Sequence, residues 1–380
     1  MNSHYENTAI QEIPSPIRVR TGFESALVDE ASFHHVIALE RKRTARSGKP
    51  FVLMILEGEL GLPVAHSGML GKILSALALS IRETDMVGWY NEGAALGVMF
   101  TEIGGEEREA TVGAMVKRIR GTLRKSLEWS EFDQVSISWH AFPEDWHQGT
   151  LQGNPALYPD LARREQAQKP FRILKRIMDI VCSGLALLFM APVMLLVAAL
   201  VKLSSEGPIL YKQQRLGQFG QPFTFLKFRS MYVNNDRNIH REFMKGVISG
   251  ECEGKVEGRE DAVYKMTDDP RITRIGKFIR RTSLDELPQF INVLRGDMSL
   301  VGPRPPIAYE FEEYDIWHRR RVLEIKPGIT GLWQINGRSR VRFDDMVRLD
   351  LRYACTWSLW LDICILIQTP AAVLLGDDAY

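Results

Sequence analysis

"IVCSGLALLFMAPVMLLVAALV", residues 180–201, decides what kind of chain this is. It carries no charged residue, and its length matches the roughly 20 apolar residues that a helix needs to cross a bilayer. A helix in the core of a water-soluble domain usually keeps a polar face, which this stretch lacks. Its flanks are basic on both sides, with Arg163, Arg164, Lys169, Arg172, Lys175 and Arg176 before it and Lys202, Lys212 and Arg215 after it. Basic flanks favour the cytoplasmic face, so both ends ask for the same side. Pro192 removes a backbone donor and clashes with the preceding turn, which allows the helix to bend there. The pattern predicts a re-entrant helix over about 172–203 that breaks at Ala191–Pro192 and returns to its side of entry. Ser183 or ordered water would then serve the freed backbone groups. A straight span kinked at Pro192, or a buried core helix, are the alternatives.

The chain has 380 residues, suited to two domains with cores of their own. A formal net charge of +1 argues against a nucleic-acid binder. Cys182, Cys252, Cys355 and Cys364 form no CxxC pair, so ordinary thiols in a reducing compartment are expected. Residues 1–22 read as a disordered arm without the apolar core of a secretory signal, which places the N-terminus in the cytoplasm.

A first domain is expected over residues 23–147. "KPFVLMILEGEL" (Lys49–Leu60) reads as a buried strand, and "HSGMLGKILSALALSIRETD" (His66–Asp85) has helical spacing. "MVGWYNEGAALGVMF" (Met86–Phe100) reads as a hairpin around Asn91-Glu92-Gly93. "EEREATVGAMVKRIRGTLRKSL" (Glu106–Leu127) is an amphipathic helix with acids first and bases last, and "QVSISWHAFPED" (Gln134–Asp145) reads as a strand. In this order the pieces resemble the GGDEF domain of diguanylate cyclases, an α/β sandwich. The active signature of that family is lost, because Ala94 and Ala95 occupy the hairpin turn and cannot bind metal. Glu57 and Glu59 near the strand end then read as solvated charges. The resemblance implies a degenerate, non-cyclase domain used for assembly or sensing. A polar linker is expected over 148–170.

Near the C-terminus, "WSLWLDICILIQTPAAVLL" (Trp357–Leu375) is apolar but interrupted by Asp362, Gln368 and Pro370. It suits a helix at headgroup level or one packed on its own domain. Between the apolar stretches, "FTFLKFRSM" sets Lys227 and Arg229 on alternate positions of a predicted strand. "RITRIGKFIRRTSLDELPQ" gathers Arg271, Arg274, Lys277, Arg280 and Arg281 ahead of Asp285 and Glu286. "RGDMSLVGPRPP" holds Arg304 between two prolines. Arginines so presented suit phosphate, which they grip through paired hydrogen bonds. Ser283-x-x-Glu286 fits a capping box, so a helix is expected from Ser283 with Asp285 in its first turn. An acidic first turn explains the carboxylates alone; a site for phosphorylated substrates also explains the cations converging beside an apolar segment. Near a helix N-terminus and these arginines, Asp285 is expected to have a lowered pKa.

From Phe171 to the end the chain resembles the bacterial sugar transferases, the polyprenyl-phosphate hexose-1-phosphate transferases or monotopic phosphoglycosyl transferases. The matching stretches are "KRIMDIVCSGLALLFMAPVMLL", "GPILYKQQRLGQFGQPFTFLKFRSM", "DPRITRIGKFIRRTSLDELPQFINVLRGDMSLVGPRP" and "KPGITGLWQINGRS". The resemblance implies a mostly helical membrane-associated transferase domain over 171–380, an α+β chain overall. It implies Asp285 as nucleophile, Glu286 as Mg²⁺ ligand and Arg304 as phosphate contact, with a re-entrant helix broken at Pro192. Lys227, Arg229 and Arg280 join these as candidate substrate-binding residues. The implied partners are a UDP-sugar, with glucose or galactose as the sugar, and undecaprenyl phosphate at the cytoplasmic face of the inner membrane. A homodimer is expected from the GGDEF-like domain. Residues 234–264 exceed the smallest members and read as a cover or a surface loop. Two other readings fit the sequence: a catalytically silent membrane-docked regulator or scaffold, and a glycosyltransferase that moves the sugar alone. The leaving group separates the three: UMP, none or UDP.

Overall fold

A computed structural model describes residues 27–58, 67–103, 108–144, 153–233, 238–249, 271–336 and 341–375. The chain divides into two units, Met1–Pro143 and Glu144–Tyr380. The arm expected over 1–22 lies outside the described residues.

In the first unit, α1 (Glu30–Ser47) starts where the Asp29 side chain accepts a hydrogen bond from the Ser32 amide at 3.0 Å. β1 (Phe51–Gly58), α2 (Ser67–Ala78), β2 (Met86–Asn91), β3 (Ala95–Phe100), α3 (Arg108–Ser126), α4 (Trp129–Asp133) and β4 (Val135–Phe142) follow. The sheet has the order β2-β3-β1-β4, antiparallel throughout, a split β-α-β arrangement. Ile73 and Leu77 of α2 and Ile119 and Leu123 of α3 cover one face. On the other face the Phe33 ring of α1 lies against Gly88 and Gly97, where a Cβ would collide with it. β1 is therefore buried on both sides, which is why "FVLMIL" is apolar without alternation. The expected hairpin forms, with Gly93 supplying the positive φ of its turn at 74°.

The second unit contains α5 (Pro159–Ala167), α6 (Lys169–Ser204), the antiparallel pair β5 (Leu210–Leu216) and β6 (Pro222–Phe228), α7 (Asn238–Ser249), α8 (Arg274–Arg281) and α9 (Gln289–Arg295). β7 (Ser299–Val301), α10 (Ala308–Glu312), α11 (Ile316–Leu323), β8 (Gly328–Thr330), α12 (Leu332–Ile335), α13 (Phe343–Thr356) and α14 (Leu359–Leu375) complete it. The stretch expected as a linker is part of this unit. Residues Pro155–Leu157 form a 3₁₀ turn that leads into α5, and Leu157 and Tyr158 are buried. Its polar composition belongs to the outer side of a docked helix. Within residues 234–264, α7 lies against α10 and α13 with Met244 buried, and it makes the pairs Arg241–Glu312 and Lys245–Glu313 at 3.7 and 3.8 Å. Residues 234–237 and 250–264 lie outside the described ones.

α6 is a helix long and apolar enough to cross a membrane. It departs from expectation in one respect: one helix runs on through Ala191 and Pro192, so the proline stands inside the helix rather than between two helices. Nor does Ser183 serve Pro192. It is fully buried, makes no hydrogen bond through its hydroxyl, and precedes Pro192 by about 14 Å of helix. Both ends of α6 are nevertheless fixed to the same body. Near its start, Arg176 donates to the carbonyls of Val293 and Leu294 at 2.6 and 2.8 Å, and Asp179 accepts from the Leu300 amide at 3.1 Å. Near its end, Val197 and Val201 pack on Phe228 and Ile279. Between these anchors Leu188 and Phe189 are each 68% exposed.

α14 packs along one side. Ile365 and Asp362 are fully buried, whereas Trp360 and Ile367 face outward. Asp362 interrupts the apolar stretch because it is a hub: it meets Lys175 Nζ at 2.5 Å, Tyr353 OH at 2.6 Å and Trp357 Nε1 at 3.1 Å.

Candidate active site

Asp285 and Glu286 lie on the 3₁₀ turn Leu284–Glu286, between α8 and α9. The expected capping box is not formed. Ser283 has φ 56°, a left-handed conformation rather than the extended one of an N-cap, and its side chain caps nothing. α9 begins only after Pro288. α8 is held upstream by Thr273, whose hydroxyl accepts from the Gly276 amide at 2.8 Å. Gly276 in turn lies against the Ser230 carbonyl, with no room for a Cβ. These contacts set the turn beside the end of β6. Asp285 is thereby buried, while Glu286 remains partly open.

Lys227, on β6, shares the charge environment of Asp285 and stands 5.3 Å from the ring centre of Tyr211, its partner across the hairpin. Burial pushes the Asp285 carboxyl up to about 6, and Glu286 adds to the rise. Lys227, Arg280 and Arg304 pull it down without offsetting the burial. The expectation of a lowered pKa is therefore overturned: loss of solvent outweighs three neighbouring cations. Burial likewise brings Lys227 down to about 8, against the attraction of Asp285.

Arg304 meets Glu286, with Nη1 3.4 Å from Oε1. The Pro-Arg-Pro backbone that presents it is held on several sides. β7 and β8 pair in parallel, and the pairing extends past β7: the Gly302 amide donates to Thr330 O at 2.8 Å and the Gly328 amide to Pro303 O at 2.9 Å. A Cβ on Gly328 would run into the backbone of Val301 and Gly302, which explains the glycine of "KPGITG". Arg215 Nη1 donates to Pro305 O at 2.7 Å, and the Leu216 amide to Pro306 O at 2.9 Å. Arg321 Nη2 donates to Arg304 O at 3.0 Å and pairs with Asp350 at 2.9 Å.

The structure thus brings Asp285, Glu286, Lys227, Arg280 and Arg304 into one charge cluster. Arg229 is not among them. It lies one residue beyond β6, and its guanidinium donates to Ser205 O at 2.6 Å and Glu206 O at 2.8 Å, closing the end of α6. Buried carbonyls at a helix end need donors, and Arg229 is committed to them. Sequence reading missed Arg215, Arg321 and Asp350 as parts of the site. Arg215 appeared only as a flanking charge, and Asp350 gave one signal, a carboxylate on the buried face of amphipathic α13.

Among the described residues no group of three or more His, Cys, Asp or Glu side chains could hold a metal ion. Mg²⁺ does not require one, since it commonly takes one or two carboxylates and completes its shell with water and substrate phosphate. Glu286, partly open beside Asp285, fits that demand.

The model of the bacterial sugar transferase family matches residues 170–376. The undecaprenyl-phosphate galactose phosphotransferase of Salmonella typhimurium is 44% identical over 216 residues, 56% of this chain and 43% of that protein. The exopolysaccharide production protein ExoY of Sinorhizobium fredii is 43% identical over 208 residues, 55% of this chain and 88% of that one. The match therefore spans less than half the length of the first relative and most of the second. A solved diguanylate cyclase from Thermotoga maritima aligns with 33% of this chain and 88% of its own, at 16% identity and a TM-score of 0.26. The GGDEF-like reading rests on the sequence of the first unit.

Proposed function

We propose that this chain, which belongs to the bacterial sugar transferase family, moves a hexose-1-phosphate from a UDP-sugar to undecaprenyl phosphate. The observation that carries the reading is a buried Asp285 among Lys227, Arg280 and Arg304, with Glu286 at its side. A carboxylate stripped of water is a better nucleophile than a hydrated one, and the surrounding cations suit a pyrophosphate. Asp285 attacks the sugar-bearing phosphorus; the bond from that phosphorus to the bridging oxygen breaks and UMP leaves. An oxygen of undecaprenyl phosphate then attacks the same phosphorus, and the aspartyl-phosphate bond breaks to restore the carboxylate. Arg304 and Lys227 hold the phosphate oxygens. Mg²⁺ bound through Glu286 would offset the charge of the pyrophosphate.

The test is a panel of UDP-sugars, UDP-glucose and UDP-galactose included, offered to the purified full chain in lipid. UMP released into solution, together with a polyprenyl-linked phosphosugar, is the expected product. UDP as the leaving group, or no release with any sugar, would sink the reading.

The charges predict a rate profile. Catalysis needs Asp285 ionised, so the rate climbs as pH rises through about 6. It falls again as Lys227 loses its proton near pH 8, because a neutral amine no longer attracts phosphate. A rate that stays flat from pH 5 to pH 9 would contradict this assignment.

For the membrane, the reading is re-entrant insertion of α6 at the cytoplasmic face of the inner membrane. Both of its ends bind one body while its middle is bare apolar surface, and this supports a helix that dips in and comes back. A cysteine introduced at Ser205 should therefore be labelled only after the inner membrane is opened. Labelling from the periplasmic side of intact cells would establish a straight span. The first unit is read as a degenerate GGDEF-like domain that makes no cyclic dinucleotide and supports a homodimer.

A further inference from the structure

Arg321 and Asp350 are both nearly free of solvent, each with a side chain 2% exposed. Charges taken so far out of water contribute little net stability, because desolvation consumes most of their attraction. Stability alone is a poor reason for placing them there. Their position suggests another. Nη2 of Arg321 donates to the carbonyl of Arg304 at 3.0 Å and lies 2.9 Å from Asp350 Oδ2, an ion-pair contact in which that oxygen accepts no hydrogen bond among the described residues. Pro303 and Pro305 bracket Arg304, and a residue before proline is confined to extended conformations. The proline that follows narrows the ψ of Arg304, and Arg321 grips the carbonyl whose direction that angle sets. The next carbonyl, of Pro305, is gripped by Arg215 at 2.7 Å.

We propose that Arg321, neutralised by Asp350, is a positioning residue that fixes the Arg304 backbone and thereby aims the Arg304 guanidinium at the site beside Glu286. A guanidinium stays charged when buried and holds its donors in a fixed plane, whereas a lysine carries a compact ammonium on a flexible stem. Arg321 touches no reacting atom and acts only through Arg304. The kinetic part of this inference rests on the proposed phosphosugar transfer; the backbone part does not.

Two measurements on the purified full chain in lipid test it. The first is hydrogen exchange. Arg321→Lys and Asp350→Asn should speed exchange at the amides of Gly302 and Ile307, which flank the Pro-Arg-Pro-Pro run and donate to Thr330 O and Glu310 Oε2, by about fivefold or more, while α14 keeps its wild-type protection. Unchanged exchange at these two amides in folded protein overturns the proposal. Asp350→Asn could leave the Arg321 charge stranded and unfold the chain. The paired change Arg321→Met with Asp350→Leu removes both charges while keeping bulk, is expected to fold, and should show the same local loosening.

The second is a double-mutant cycle on the KM for the UDP-sugar. Arg321→Lys should raise KM about tenfold in the wild-type background and less than about twofold when Arg304 is already lysine. A purely structural role would lower kcat through the active fraction and leave KM alone. Equal effects in the two backgrounds overturn the proposal. If wild-type protein releases UMP from no UDP-sugar, the proposed function fails, and the exchange measurement alone decides the role of Arg321.

Discussion

Asp285→Asn is expected to lower UMP release by at least about a thousandfold, equivalent to ~4 kcal/mol of barrier. The loss should be the same with and without lipid acceptor, because the first half-reaction needs only the nucleophile. An amide has nearly the size of the carboxylate but no anionic oxygen to attack phosphorus. The substitution should not unfold the chain. Burial disfavours the ionised form of Asp285, so a neutral group there relieves desolvation rather than adding to it. Loss of activity at an unlowered thermal midpoint is therefore the signature. Mass spectrometry of wild-type protein given UDP-sugar alone should find the phosphosugar on the peptide containing Asp285. Release of UMP by the Asn variant at a near wild-type rate would remove Asp285 from the chemistry.

The largest expected effect on stability lies outside the site. Asp362→Ala should cost about 3–5 kcal/mol, the usual penalty for removing one partner of a buried ion pair. Asp362 is fully buried and Lys175 mostly so, with 16% of its side chain exposed, and the alanine would leave an ammonium without its carboxylate. It would also strip acceptors from Tyr353 and Trp357, loosening the junction of α6, α13 and α14. Asp362→Asn keeps an acceptor for the two aromatic donors and should cost less. Urea unfolding in detergent measures both variants. A loss below about 1 kcal/mol for the alanine would show that Lys175 finds another partner.

Much of this organisation is legible as local pattern. Strands β1–β4 and helices α2 and α3 of the first unit follow from apolar runs and helical spacing, and the Asn91-Glu92-Gly93 turn from the φ that glycine tolerates, whereas α1 and α4 were not read from the sequence. The candidate chemistry was visible as a carboxylate pair, a Pro-Arg-Pro and a cluster of cations beside an apolar stretch. Other features could not be read this way. Alternation set Lys227 and Arg229 on one side of a strand but does not say what stands opposite each. One shares its surroundings with Asp285, and the other closes a helix end. Ser283-x-x-Glu286 has the letters of a capping box, yet the left-handed backbone at Ser283 denies it the geometry. Residues 155–167 look like a polar linker because a docked helix shows only its outer face to a composition count.

The sequence by itself determined what depends on neighbours along the chain: strand and helix periods, an uncharged span long enough for a bilayer, and the residue types that phosphate chemistry needs. Tertiary structure decided what depends on distance from water and on groups remote in sequence. Asp285 is a difficult acid because it is buried, and no local pattern encodes burial of a short acidic turn. Arg304 is aimed by Arg215, 89 positions before it, and by Arg321, paired with Asp350 from a different helix. Desolvation and long-range hydrogen bonds come into being only when the chain closes on itself, and in this protein they set the charge and direction of the candidate catalytic groups.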